Sequence, residues 1–220
     1  MALVTAVEHY SMDSGVSTCA DGLPLATSVH FRHAVLLDVV WLVIAAGSDT
    51  ERSESMSPEK SREEILDEVE RKAGEYEIQS GCCAQGCLRA LQEQFGIGDS
   101  LTYKAATAMP GIALRGETCG GVIGGLMAIG LVFGREEQGD MDSYFRAIAK
   151  GRRFCKRFEE EFGTVMCRDI VRERFGKDLN LADPEDAKEF TRMDGFKRCA
   201  YVPGRAARIV AEMILDSQSK

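Results

Sequence analysis

Four cysteines, Cys83, Cys119, Cys167 and Cys199, lie far apart in a chain segment that contains no histidine. Cys83 comes three residues after Ser80, Cys119 directly after Thr118, and Cys167 three residues after Thr164, so each falls in the expected first turn of a helix. Free amides in a first turn favour negative charge, which makes a thiol there more acidic and fit to ligate metal or attack a disulfide. Cys199 sits about one turn into the last helix if Asp194 caps it. A cluster of soft thiolates can hold an iron-sulfur centre or zinc, and a pair can instead cycle between dithiol and disulfide. The intervals match no short ligand motif such as paired CxxC, and cysteine is also a small hydrophobe at home in helical cores. The coincidence of three helix starts weighs towards function for the set.

All three histidines, His9, His30 and His33, precede residue 56, whereas seven of the eight cysteines follow it. The later segment therefore has no Ser-His or Cys-His nucleophilic site and no His-containing zinc site. Cys82 adjoins Cys83, and Cys83 and Cys87 share a helix face at i,i+4, so that pair can ligate together. Cys155, mid-helix between basic residues, reads as a packing residue. Lys150, Arg152, Arg153, Lys156 and Arg157 form a basic stretch, but Glu159, Glu160 and Glu161 follow at once, so a solvated face is expected rather than a nucleic-acid site.

The elements that must position these thiols are helices. Ser57 and Pro58, or alternatively a Ser61/Glu64 capping box, open the first, with Ile65, Val69 and Ala73 on one face. A second is expected from near Ser80, with Leu88, Leu91 and Phe95 inward and Gly96 as its left-handed cap. Asp99 or Ser100 opens a third, which stops before Pro110. The apolar segment from Cys119 to Gly134 carries glycines at 120, 121, 124, 125 and 130. Each glycine costs about 1 kcal/mol relative to alanine in a helix. Compensation is expected from close packing, since Gly120/Gly124 and Gly121/Gly125 have the small-xxx-small spacing that admits another backbone. Further helices are expected over 141–162, over 164–175 with Thr164 as cap, from Asp183-Pro184-Glu185, and from near Gly195 with an interruption around Pro203-Gly204. No alternating strand pattern appears after residue 56. The expected fold is all-α, a multi-helix bundle around a glycine-rich central helix.

The chain has 220 residues, 45% of them hydrophobic, enough for one substantial core. Its net charge of −8 makes it a poor binder of phosphate backbones. The apolar run 34–47 carries Asp38 and is shorter than the ~20 residues that span a bilayer, so no membrane span is expected. Residues 1–55 read as a leader of uncertain status, since the polar stretch 48–55 resembles a boundary and Met56-Ser57-Pro58-Glu59 resembles the start of a helical protein, with Met56 as initiator.

Cys83-Ala84-Gln85, then Gly116-Glu117-Thr118-Cys119-Gly120-Gly121-Val122-Ile123-Gly124, then Cys167 and Cys199, resemble the C_GCAxxG_C_C family of proteins described as redox-active. The resemblance covers roughly residues 62–215 and places Cys83, Cys119, Cys167 and Cys199 at the family's four characteristic cysteines. The glycine-rich cysteine element is matched by CGGVIG from Cys119, although no alanine follows the cysteine. The resemblance implies a small helical redox protein. It extends to the non-haem part of split-Soret cytochromes, where an iron-sulfur cluster accompanies a similar helical region. No C-x-x-C-H site is present, so haem does not carry over.

The resulting expectation is a cytoplasmic protein whose residues 56–220 form a helical redox module. Cys83, Cys119, Cys167 and Cys199 converge to bind an iron-sulfur cluster for electron transfer, with Gly120 letting backbone approach it. The alternatives are a metal-free thiol-disulfide oxidoreductase and a structural module holding zinc. The partners this reading allows are a redox partner protein of the oxidoreductase class and a second copy of the chain.

Overall fold

The structure, a computed structural model, describes residues 60–219. The expectations of a leader over 1–55, of a start at Met56 and of a cap at Ser57 lie outside the described residues. Ten helical segments follow in order: α1 Arg62–Ser80, α2 Cys83–Phe95, α3 Ser100–Ala105, α4 Gly111–Leu114, α5 Gly120–Phe133, α6 Met141–Phe162, α7 Cys167–Phe175, α8 Pro184–Arg192, α9 Gly195–Cys199 and α10 Tyr201–Gln218. Among the described residues no strand forms, and the one extended pairing is an isolated antiparallel bridge between Thr118 and Met166. The all-α expectation holds.

Helix α1 starts with the capping box: the Ser61 hydroxyl accepts from the Glu64 amide at 3.3 Å, and the Glu64 carboxylate accepts from the Ser61 amide at 2.7 Å. Its buried stripe is Leu66, Val69, Ala73 and Glu77, with Ile65 only half-buried. The helix runs on to Ser80, where the second helix was expected to begin. Gly81, in the left-handed region at φ 65°, ends it, and α2 starts instead at Cys83 with Cys82 at the capping position.

Helix α5 is the centre of the bundle, packed against α2, α6 and α10, while α1 lies across α2 and α10. The glycine pairs do what their spacing predicts. A β-carbon on Gly124 would stand 2.4 Å from the Ala84 carbonyl oxygen, and one on Gly121 would stand 3.1 Å from the Pro203 Cα. One pair thus receives α2 and the other α10, and Gly125 receives the Phe154 ring at 2.6 Å.

The interruption expected at Pro203-Gly204 is not there. The break falls at Ala200, between α9 and α10, and Pro203 sits within the first turn of α10. Proline is tolerated there because a first-turn amide has no intrahelical acceptor. Gly204 admits the Glu70 carbonyl of α1, 2.9 Å from where its β-carbon would be. The Arg205 guanidinium bonds Glu161 at 2.7 Å and Glu70 at 3.1 Å, and Arg208 bonds Asp67 at 2.6 Å, Glu70 at 3.3 Å, and also Glu63. These pairs tie α1, α6 and α10 together. A second, smaller core of Val171, Phe175, Leu179 and Phe190 joins α7 and α8, and Cys167 and Cys199 pack on it.

Two glycines of α5 serve as opposite controls. Gly124→Ala forces α2 away and lowers unfolding free energy in urea by about 1–3 kcal/mol. Gly130→Ala, with nothing within 4 Å of the new methyl, raises it by up to about 1 kcal/mol.

Candidate redox centre

The site grows from the crossing of α2 and α5. Cys83 is the first residue of α2 and Cys119 the capping residue of α5. A β-carbon on Gly120 would lie 2.4 Å from the Cys83 sulfur and 3.0 Å from the Pro110 Cα. Glycine at 120 is therefore what lets the Cys83 thiol reach the start of α5.

Cys119 is positioned a second time, by a short antiparallel pairing. Its amide donates to the Val165 carbonyl at 2.8 Å, the Cys167 amide to the Glu117 carbonyl at 2.7 Å, and the Arg168 amide to the Gly116 carbonyl at 3.0 Å. This pairing brings Cys167, the first residue of α7, beside Cys119 and consumes the amides that would otherwise start a helix earlier. Thr164 does not cap α7 as expected: its hydroxyl accepts from the Met166 amide at 3.0 Å, and Met166 takes the capping position with no side-chain bond. Cys199 ends α9, whose capping residue is Asp194 as expected, although the Asp194 side chain makes no capping bond.

Residues 110–114 close over this end of the bundle. Gly111, Ile112, Ala113 and Leu114 all have positive φ, from 50° to 63°, making α4 a left-handed turn closed by the Leu114 amide on the Pro110 carbonyl at 2.8 Å. Left-handed backbone costs an L-residue about 1–2 kcal/mol, so three non-glycine residues in a row need support. Gly111 is where the turn meets the site, since a β-carbon there would stand 3.3 Å from the Cys167 sulfur.

All three helix-start placements hold, but their common electrostatic consequence does not. Among these cysteines only Cys119 has its pKa lowered: the neighbouring Cys83 thiol favours its thiolate, and the first-turn amides of Gly121 and Val122 add to the effect although neither closes a full capping bond. Cys83, beside Cys119 and desolvated, is raised well above the ordinary thiol value. Burial pushes the Cys167 thiol up to about 12 and also raises Cys199, and the charge at Cys119 opposes ionisation of both. Desolvation outweighs the partial charge of a helix start wherever no donor meets the sulfur.

The other cysteines separate from the set. Cys87 is fully buried on the α2 face against Gly124, where it packs the helix crossing. The Cys82 sulfur lies 4.0 Å from the Ala106 carbonyl oxygen and 3.9 Å from that of Thr107. It helps line a cavity of about 480 Å³ with Gly81, Gln85, Pro110 and Ala113. Cys155 packs against the main core from α6, as expected. Among the described residues no group of three or more His, Cys, Asp or Glu side chains is arranged to hold a metal ion.

One residue escaped the sequence reading. Glu77 is 4% exposed, and its Oε2 has no hydrogen-bond partner. Burial, with the negative charge at Cys119 adding, raises its carboxyl pKa to about 8. A signal was present: Leu66, Val69, Ala73 and Glu77 continue one i+3/i+4 stripe, so the core face of α1 ends on a carboxyl.

An ultraviolet thiolate titration of the folded protein therefore shows one cysteine ionising below the ordinary range. The signal disappears in Cys119→Ser and stays in Cys155→Ser. Because Glu77 is raised from 4.5 to about 8, the folded state binds a proton that the unfolded chain releases, and the resulting stabilisation is complete below 4.5 and lost as pH rises towards about 8. Glu77→Gln flattens the stability profile across that window, by an amount on the order of a few kcal/mol, as measured by urea unfolding at several pH values.

Neither a curated protein nor a solved structure matches the chain. A family model does, over residues 81–213, with the description "Putative redox-active protein (C_GCAxxG_C_C)". The match begins at the turn before Cys83 and includes Cys119, Cys167 and Cys199, the same thiols that the helix ends bring to one end of the bundle. The chain belongs to the C_GCAxxG_C_C family.

Proposed function

We propose that the protein is a thiol-disulfide redox carrier in which Cys119 is the attacking thiol and Cys83 the resolving one. The observation that carries this reading is the meeting of two thiols at one helix crossing, where the Cys83 sulfur stands 2.4 Å from the place of a β-carbon on Gly120, the residue next to Cys119. The Cys119 thiolate attacks one sulfur of a partner disulfide, forming a mixed disulfide and expelling the other sulfur as thiolate. Cys83, losing its proton, then attacks the Cys119 sulfur, closes the internal disulfide and expels the second partner thiolate. Two electrons pass to the partner, and reduction runs the same steps backwards.

Cys83 is partly exposed while Cys119 is 5% exposed, and the cavity beside Cys82 opens between the α1–α2 turn and residues 107–114. Leu114, with 43% of its surface exposed, lines it, where apolar contact holds a partner while the thiols exchange. The redox partner is accordingly a protein carrying a disulfide. No helix of the described residues is long and apolar enough to cross a membrane.

The competing reading is the iron-sulfur centre, with zinc as its alternative, and it draws on four thiols in one electrostatic neighbourhood without histidine. Protein purified without oxygen decides between them. On the thiol reading, titration in a redox buffer gives one two-electron transition, peptide mapping finds a Cys83–Cys119 disulfide in the oxidised form, and Cys83→Ser or Cys119→Ser abolishes the transition. Stoichiometric iron and acid-labile sulfide with a bleachable visible band replace it with a cluster, and stoichiometric zinc with no redox transition replaces both with a structural site.

A further inference from the structure

Away from the thiols, the first half of α6 carries an apolar surface that the bundle does not use. Helix α6 gives Gly151, Phe154 and Phe158 to the core, and no residue of the helix before Gly151 is buried. Leu126 of α5 comes within 3.1 Å of the place of a β-carbon on Gly151, and the Lys150 ammonium lies 4.8 Å from the ring of Phe133, the last residue of α5. The turns before these residues run on past the core.

Those turns carry a second stripe. Met141, Tyr144, Phe145 and Ile148 recur at i, i+3, i+4 and i+7, and all four are exposed, Phe145 by 62%. Contacts within the chain hold the stripe in one shape. The Tyr144 and Phe145 rings meet edge to face at 5.2 Å, and the Arg135 guanidinium lies 4.7 Å over Tyr144 while donating to the Gln138 carbonyl at 2.6 Å. An ordered run of four large apolar side chains in water marks a surface that something covers.

The flanking charges say what covers it. Glu136, Glu137 and Asp142 lie at the start of the stripe and Lys150, Arg152 and Arg153 at its end. Of the two cations nearer the acidic end, Arg135 is turned onto Tyr144 and Arg146 acts on Asp140. A strip with acid at one end and base at the other is a poor match for a lipid surface of one sign, but it complements a reversed copy of itself. Asp142 and Arg153 fall about three turns apart on the same flank of the stripe. Among the described residues the ion pairs of α6 fall in its second half, Lys156 with Glu160 at 3.7 Å, Glu161 with Arg205 at 2.7 Å, and Arg157 with Glu212, and they leave Asp142 and Arg153 without partners.

We infer that residues 141–153 form a self-association surface, on which two copies of the chain pair their α6 helices antiparallel about a twofold axis. Phe145 of one copy packs beside Ile148 of the other, and Asp142 of each faces Arg153 of the other, the reciprocal contacts that a twofold interface requires. Helix α5 starts at Cys119 and ends beside Lys150, so the strip lies at the opposite end of the bundle from Cys119 and pairing leaves the thiols of each copy open. The inference is independent of the thiol-disulfide reading.

The test is sedimentation velocity of the full chain across the micromolar range, in reductant so that no disulfide links the copies. The wild type is expected to pass from monomer to dimer as its concentration rises, and added salt weakens the dimer. Phe145→Glu stays monomeric throughout, with its urea unfolding unchanged, because the side chain it replaces faces solvent in the single chain. Arg153→Asp raises the dissociation constant by about tenfold, since the ion pair occurs twice and like charges take its place. The swap Asp142→Arg/Arg153→Asp brings it back. A wild type that stays monomeric overturns the pairing, and one that instead floats with phosphatidylglycerol vesicles gives the face to a membrane. A dimer that survives Phe145→Glu, or a swap variant that pairs no better than Arg153→Asp, overturns it as well.

Discussion

The structure depends on how closely α2 and α5 approach. Helices with ordinary side chains keep their axes about 8–10 Å apart, and at that distance neither helix start reaches the other's cysteine. The Ala84 carbonyl oxygen sits where a side chain at Gly124 would be, and the Cys83 sulfur where one at Gly120 would be. The glycines give up helix propensity, and the packing of Leu88, Leu91, Val122 and Ile129 in the shared core offsets the loss. The same helix turns its other glycines to α10 and Phe154, so the contact that brings the thiols together is continuous with the one that organises the bundle.

Around that contact, the chemistry is set by a contest between desolvation and local donors. Cys83, Cys119 and Cys167 all begin helices, yet only the sulfur that receives a donor becomes more acidic. A first-turn amide is a partial charge that acts over a short range, whereas burial acts on every thiol at this end of the bundle. The asymmetry between Cys83 and Cys119 thus comes from their closeness and from the first-turn amides of Gly121 and Val122, which act on the Cys119 sulfur. That difference gives two chemically identical side chains different roles. Glu77 follows the same logic in reverse, because burial without a donor holds its proton on.

The surrounding segments keep the pair in register. The pairing of residues 116–119 with 165–168 anchors Cys119 and Cys167 together through three backbone bonds. The left-handed turn at Gly111–Leu114 lies over them, with its glycine where the Cys167 sulfur comes near. Cys167 and Cys199 rest on the small core of α7 and α8, so the far side of the centre is supported by a separate packing unit.

Much of the helical plan was legible in the sequence, because caps and periodicity are local. The Ser61/Glu64 box, the Asp99 cap, the span of α6 and the start of α8 at Asp183-Pro184 all follow from residues within one or two turns. The four family cysteines and the small-xxx-small pairs of α5 could likewise be singled out from type and spacing. The boundaries around the cysteines could not. Ser80 is a good cap, but α1 overruns it because its stripe continues to Glu77, and Thr164 is a good cap whose hydroxyl is spent on the Met166 amide. Residue order determined which side chains begin or end helices and that α5 had to be approached closely. Only the tertiary structure decided that Cys83 reaches the start of α5, that Cys87 packs the same crossing one turn on, and that Glu77 is buried without a partner for its Oε2, because burial and hydrogen-bond partners arise from chain segments far apart in sequence.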